Sequence, residues 1–146
     1  MILIRRRAFL AAALGACLTA RAAAAAPKLV VHKSAGCGCC GEWEKHMRAH
    51  GFEVDARTVA DIGAVKRRLG VPGALASCHT ATVEGYVVEG HVPAADVRRL
   101  LRERPKAIGL AVPGMPLGAP GMEQGAPQPY LTMAFDARGS WVFARH

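Results

Sequence analysis

Three cysteines fall within four residues, Cys37-Gly38-Cys39-Cys40, where one pattern of hydrophobicity gives way to another. Before them, Lys28-Leu29-Val30-Val31-His32 reads as a short buried strand, with Ser34-Ala35-Gly36 as the loop leaving it. After them, Cys40, Trp43 and Met47 recur at helical spacing, and His50-Gly51 supplies a helix stop. The sulfurs therefore occupy the junction between a first strand and the N-terminus of a first helix. Backbone N–H groups and the helix dipole stabilise thiolates at such a place, which suits metal binding and disulfide exchange alike.

The remaining pattern extends this start into a βαβα order. Phe52-Glu53-Val54-Asp55 alternates as a second strand. Asp61 is a good N-cap for a helix carrying Ile62, Val65 and Leu69, stopped at Gly70 and Pro72. A hairpin follows, with His79 to Val83 and Tyr86-Val87-Val88 flanking a tight turn at Glu84-Gly85. Pro93 opens a third helix with Val97, Leu100 and Leu101 facing inward, and Pro105 closes it. Residues 107–129 are rich in Gly and Pro, without periodicity, and a terminal β-hairpin spans 130–135 and 140–144. The expected fold is α/β: a single thioredoxin-like domain, βαβα then a β-hairpin and α, with a C-terminal Gly/Pro-rich segment and the terminal hairpin. No internal repeat or interdomain linker is present.

The first residues carry an address rather than a core. Arg5-Arg6-Arg7, an apolar run over 8–18 and small residues at 22–26 have the three-part layout of a secretory signal. Arg6-Arg7-Ala8-Phe9-Leu10 also fits twin-arginine export. Residues 1–26 are thus expected to be a cleaved signal peptide, cut near Ala26, with the domain at 27–146 in the periplasm. The other reading of Leu14-Gly15-Ala16-Cys17 is a lipoprotein box that would anchor the protein at Cys17. Cleavage at Ala26 removes four arginines and no acid, taking the formal charge from +8 to +4. That mild basicity and the few aromatic residues argue against nucleic-acid binding. No membrane contact is expected without lipidation at Cys17. No Ser-His-Asp set, phosphate loop or paired carboxylate site supports hydrolytic or nucleotide chemistry.

Cys37, Cys39, Cys40 and Cys78 remain after cleavage. An even count in an oxidising compartment suggests disulfides, yet three clustered cysteines are badly spaced for stapling distant loops. Cys78-His79 precedes the strand expected beside the cluster, where thioredoxin-like oxidoreductases usually carry a cis-proline. The four thiols and His79 form a soft donor set, suited to copper(I), zinc or iron–sulfur clusters. Five donors exceed what one tetrahedral zinc requires, which favours a polynuclear thiolate-bridged copper site. Two alternatives stay open: a thiol-disulfide oxidoreductase using Cys37 and Cys40, and a structural zinc-binding module. Further candidates are Met115 and Met122, thioethers in the Gly/Pro-rich segment, and His91 as an outer donor or a helix cap. His46 and His50 read as a solvated pair, His32 as a hydrogen-bonded core histidine, and Lys66-Arg67-Arg68 as a solvated helix face.

Longer motifs carry a resemblance. Lys33-Ser34, Cys37-Gly38-Cys39-Cys40-Gly41, Trp43, Gly70-Val71-Pro72, Leu75, Ser77-Cys78-His79-Thr80, Gly85-Tyr86 and Glu89-Gly90-His91-Val92-Pro93 resemble the CopG-type copper-resistance proteins. Leu110-Ala111-Val112-Pro113-Gly114-Met115-Pro116, Pro120-Gly121-Met122-Glu123 and Ala144-Arg145-His146 extend the resemblance over nearly the whole exported chain. It is a thioredoxin-like periplasmic metal-binding family, long listed as a domain of unknown function. The resemblance implies copper bound by the Cys-x-Cys-Cys and Cys-His motifs, and a role in copper resistance beside other periplasmic copper-handling proteins. Ala35-Gly36 departs from the family, where a proline and a small polar residue are common; no ligand is lost by that.

Overall fold

The computed structural model describes residues 25–146. Most of the expected signal peptide, residues 1–24 with the twin-arginine pair and Cys17, lies outside the described residues. Strand β1 (Lys28–Lys33) leads through a turn into α1 (Gly38–Ala49), and β2 (Glu53–Thr58) returns parallel to β1. Helix α2 (Ile62–Arg68) and a 3-10 turn at Gly73–Leu75 precede the hairpin of β3 (His79–Val83) and β4 (Tyr86–Glu89). Helix α3 (Ala94–Glu103) then crosses to β5 (Gly109–Ala111), and β6 (Leu131–Asp136) and β7 (Gly139–Arg145) close the chain.

All seven strands join one sheet in the order β2-β1-β3-β4-β5-β6-β7. Its first four strands and three helices have the mixed α/β arrangement expected of a thioredoxin-like domain. The Gly/Pro-rich segment is not wholly irregular. Gly109–Ala111 runs parallel to β4 and antiparallel to β6, so the terminal hairpin extends the central sheet. Three residues are too few to show a period, which hides this strand from sequence patterning.

Apolar residues cover both faces of the sheet. Leu29 and Val31 of β1 pack with Trp43 and Met47 of α1 and with Val97 and Leu100 of α3. On the opposite face Val71, Leu75, Val87, Ala111 and Phe135 form a second cluster beside the end of α2. Asp61 caps α2, its carboxylate accepting from the Ala64 N–H at 2.9 Å. Pro93 is the N-cap of α3 rather than its first residue. Glu84 and Gly85 both take positive φ, as a two-residue hairpin turn between twisted strands requires.

The rings of His46 and His50 pack at a tilt with centroids 4.3 Å apart, and His46 is more than a solvated side chain. Its Nε2 accepts the Ala94 N–H at 3.2 Å, tying α1 to the first turn of α3. Burial holds the His46 pKa below its usual value, His50 adds to that, and Glu123 opposes it. The folded protein therefore keeps this ring neutral where the unfolded chain protonates. Its stabilising effect is complete above about pH 6.5 and declines as pH falls through 6.5 towards the lowered folded value. Thermal midpoints measured from pH 7.5 to 5 should fall, with a shallower slope in His46→Gln. An equal slope in both proteins would refute this role.

Candidate metal centre

The turn after β1 delivers Cys37 to the N-cap of α1, with Cys39 and Cys40 in its first turn. Cys37 and Cys40 form a disulfide, with Cα atoms 5.4 Å apart. One helical turn separates them, so a C-x-x-C pair at a helix start meets disulfide geometry without moving the backbone. Cys39 and Cys78 are free and half-buried. Cys39 Sγ lies 3.7 Å from Cys37 Sγ, 3.9 Å from Cys78 Sγ and 4.0 Å from Met115 Sδ. Five sulfurs thus meet at one end of α1.

Strand order explains why Cys78 arrives there. β3 pairs with β1, and Lys33 at the end of β1 faces His79 at the start of β3. The residues entering β3 are consequently beside those leaving β1. Cys78 Sγ lies 3.2 Å from His79 Nδ1 and 3.1 Å from His91 Nε2. His91 is thus in contact with the Cys78 sulfur instead of capping a helix at a distance. Its Nδ1–H donates to Pro120 O at 2.7 Å, an assignment that follows from the carbonyl being an acceptor. Nε2 is then left with a lone pair facing the sulfur. His79 packs on Trp43, centroids 4.4 Å apart, and Trp43 Nε1–H donates to Val92 O at 2.9 Å. Both imidazoles are fully buried.

This environment sets the protonation states. Burial, reinforced by the neighbouring Cys39, pushes the Cys78 thiol up to about 12. His79 is held well below the usual histidine range by burial, then by His91 and Lys66. Burial also lowers His91, against the Pro120 hydrogen bond and Glu123. Both rings are therefore neutral near pH 7, the form in which imidazole binds metals. The Cys78 thiol keeps its proton until a cation displaces it.

A buried polar network supports the Cys78-His79 segment from behind. Glu89 Oε1 accepts from the Ser77 N–H at 2.6 Å and from Lys66 Nζ at 2.5 Å, while Oε2 accepts from the Thr80 hydroxyl at 2.6 Å. Glu89 is fully buried and Lys66 nearly so, which separates Lys66 from the solvated face of Arg67 and Arg68. A lone glutamate in the apolar run Tyr86-Val87-Val88-Glu89 was the available sign of a buried charge. His32, expected to be hydrogen-bonded in the core, is half-buried and its Nδ1 has no partner.

The long loop after β5 folds over this end of the domain. Ser77 Oγ donates to Gly114 O at 2.5 Å. Gly121 has φ +86, and a Cβ there would lie 2.7 Å from Trp43 N and 2.9 Å from Cys39 O. Glycine is needed for that approach to the start of α1. Met115 is brought to the sulfurs and stays 51% exposed, whereas Met122 is half-buried with its backbone engaged in the turn. Two clefts of about 270 and 280 Å³, around Arg98 and Arg104 and around Tyr130 and His146, are lined by none of these donors. Cys37, Cys39, Cys40 and Cys78 form one group of potential metal ligands, and Cys78, His79 and His91 another. A small soft ion matches this donor set better than an organic ligand does. No helix among the described residues is long and apolar enough to cross a membrane.

Residues 75–122 match the family described as "Protein of unknown function, DUF411". That segment contains Cys78, His79, His91 and the loop that covers them. Among solved structures, copper resistance protein CopG in form 2 is 48% identical, over 83% of this chain and 98% of that one, with a TM-score of 0.79. Form 1 is 49% identical over 82% and 96%, with a TM-score of 0.77. No curated protein gives a match.

Proposed function

We propose that this chain, which belongs to the CopG family of copper-resistance proteins, binds copper as copper(I) in the periplasm and contributes to copper resistance. The observation that carries this reading is the convergence of Cys39, Cys78 and the Cys37–Cys40 pair beside His79 at the open end of α1. Thiolates and a neutral imidazole are soft to borderline donors, and copper(I) is the soft ion they select. Copper is cargo here. The thiols and His79 hold it, Met115 offers a thioether on the exposed side, and the surrounding loops keep the donors together. Five close donors support more than one copper per chain, with thiolates shared between ions. Release to other copper-handling proteins of the periplasm would proceed through the side where Met115 is exposed. Residues 1–26 serve as the export signal and 27–146 as the copper-binding domain.

The disulfide adds a condition. Cys37 and Cys40 become ligands only after two electrons and two protons convert the disulfide to two thiols. The fully reduced chain should therefore take up more copper(I) than the disulfide form. The check is an anaerobic titration of the 27–146 domain against a competing copper(I) chelator, with thiols counted in both states: four when reduced and two when oxidised. Binding of one zinc with no copper uptake would overturn the proposal and favour a structural zinc module.

The observed disulfide also favours a second reading, a thiol-disulfide oxidoreductase using Cys37 and Cys40. Cys78 enters β3 where such enzymes usually place a cis-proline, and the described residues contain no cis peptide. An insulin-reduction assay on metal-free protein separates the two. Robust turnover without tight copper binding would select the enzyme.

A further inference from the structure

Three guanidinium groups gather at the end of the domain farthest from the sulfurs, where they line a cleft of about 270 Å³ with Glu84, Leu101 and Pro27. We propose that this cleft docks an acidic segment of a partner protein, taking one of its carboxylates between Arg98 and Arg102. The site is independent of the metal centre and of which ion that centre holds.

Strand direction fixes its place. β1 begins beside Pro27 of the cleft and ends at Lys33, facing His79. Glu84 lies in the turn where β3 ends, whereas Cys78 lies where β3 begins. A strand of six residues, such as β1, spans about 20 Å. A partner seated at the cleft therefore leaves the Met115 side of the sulfur cluster open.

Two of the arginines are held in position. Arg98 donates to His50 O and lies over the Phe52 ring, 5.3 Å from its centroid. Arg104 closes α3 with φ 49, a left-handed conformation that glycine adopts freely and an L side chain resists. An arginine is kept there nonetheless. Its guanidinium pairs with Glu84 and sits 6.0 Å from the Tyr86 centroid. The Tyr86 hydroxyl donates to Pro105 O at 2.9 Å and ties the hairpin to the end of α3.

Arg102 is exposed and left over. Glu84 and Glu103 are engaged by Arg104 and Arg99, and Arg102 makes no ion pair among the described residues. Three guanidinium groups face one carboxylate, so the cleft carries surplus positive charge. Cleavage after Ala26 would add the ammonium group of Pro27 at its edge. The planar fork of arginine matches a carboxylate, and Leu101 with Pro27 offers apolar wall to the stem of an entering side chain.

Size and charge select the occupant. The cleft has the volume of roughly nine waters, below the range of about 300–1,000 Å³ typical of pockets for organic ligands. It has room for a side chain rather than a cofactor. A second copy of this chain is a poor donor, because its exposed acids Glu42, Glu53, Asp61 and Glu103 are already paired within the chain. A flat anionic membrane is also a poor match, since Glu53, Glu84 and Glu103 are interspersed with the basic groups at this end.

The test titrates metal-free, isotope-labelled protein, residues 27–146, with a hexaglutamate peptide at low salt. Saturable binding is expected, with NMR amide shifts centred on Glu84, Arg98, Leu101, Arg102 and Arg104 and none at Cys39 or Cys78. Added salt should weaken it, as for any exposed charge pairing. Arg102→Gln removes a side chain without an ion pair in the fold and should lower affinity about five-fold. Arg145→Gln removes the same charge at the other cleft and should change affinity less than two-fold. Lack of saturable binding, shifts centred elsewhere or equal losses in the two variants would overturn the proposal. Inorganic phosphate competing as well as the peptide would reassign the cleft to a small free anion. Binding to phosphatidylglycerol vesicles without peptide binding would reassign it to a membrane surface, and either result overturns the acidic partner.

Discussion

Replacing Cys78 with alanine should remove most of the copper(I) bound by the reduced protein while leaving the fold intact. Cys78 belongs to both groups of potential ligands, facing Cys39 at 3.9 Å on one side and two imidazoles at 3.2 and 3.1 Å on the other. Its loss takes the shared donor out of each. Cys39→Ala should also lower the copper stoichiometry, but it leaves Cys78, His79 and His91 together, so some binding survives. Both thiols are half-buried and small, and their truncation is expected to cost no more than about 1–2 kcal/mol of stability. Elemental analysis of anaerobically loaded protein gives the stoichiometry, and circular dichroism checks the fold. If both variants bind copper like the parent, the assigned site is wrong.

The largest stability effect should come from a residue that is not a ligand. Glu89→Ala leaves the Lys66 ammonium nearly buried beside apolar side chains, with the Thr80 hydroxyl as its remaining hydrogen-bond partner. Breaking a buried pair by deleting one partner costs about 3–5 kcal/mol, mostly as an uncompensated charge. The Ser77 N–H and the Thr80 hydroxyl lose their acceptor as well, so the strand entry carrying Cys78 and His79 is loosened. Urea denaturation should show the midpoint falling by a large fraction of the total stability. Glu89→Gln retains an acceptor and should be milder, and Lys66→Met placed on Glu89→Ala should recover part of the loss by removing the stranded charge. A cost under about 1 kcal/mol for Glu89→Ala would show that water, not the ion pair, satisfies this interior.

Much of the site was legible because its members are close in the chain or follow strong local signals. Cys37, Cys39 and Cys40 lie within four residues at a strand-to-helix boundary, and the hairpin carrying His79 is marked by alternation and a Glu84-Gly85 turn. Met115 was identifiable as a soft donor in the loop, but its choice over Met122 depended on how that loop folds back. His91 was a weaker candidate, because nothing in Glu89-Gly90-His91 shows which atom the ring faces. Lys66 was misplaced for a physical reason. A lysine among arginines on a helix reads as a solvated charge, and only the partner across the sheet, Glu89, makes its burial affordable.

The amino-acid sequence by itself determined the kind of chemistry: a soft, thiol-rich centre at the start of α1, completed by Cys78-His79, on an α/β domain. These are local properties, carried by residue type, spacing and periodicity. Tertiary structure decided which donors meet. The pairing of β1 with β3 brings Cys78 to the cluster, and the hydrogen bond from His91, just past β4, to Pro120 O turns His91 onto the same sulfur. The Cys37–Cys40 pairing is the local exception, three residues apart at the start of α1, and it leaves Cys39 and Cys78 as the free thiols among the described residues. The approach of Cys78 and His91 depends on contacts between residues far apart in the chain, where distances of a few ångströms separate a ligand from a bystander and no local pattern records them.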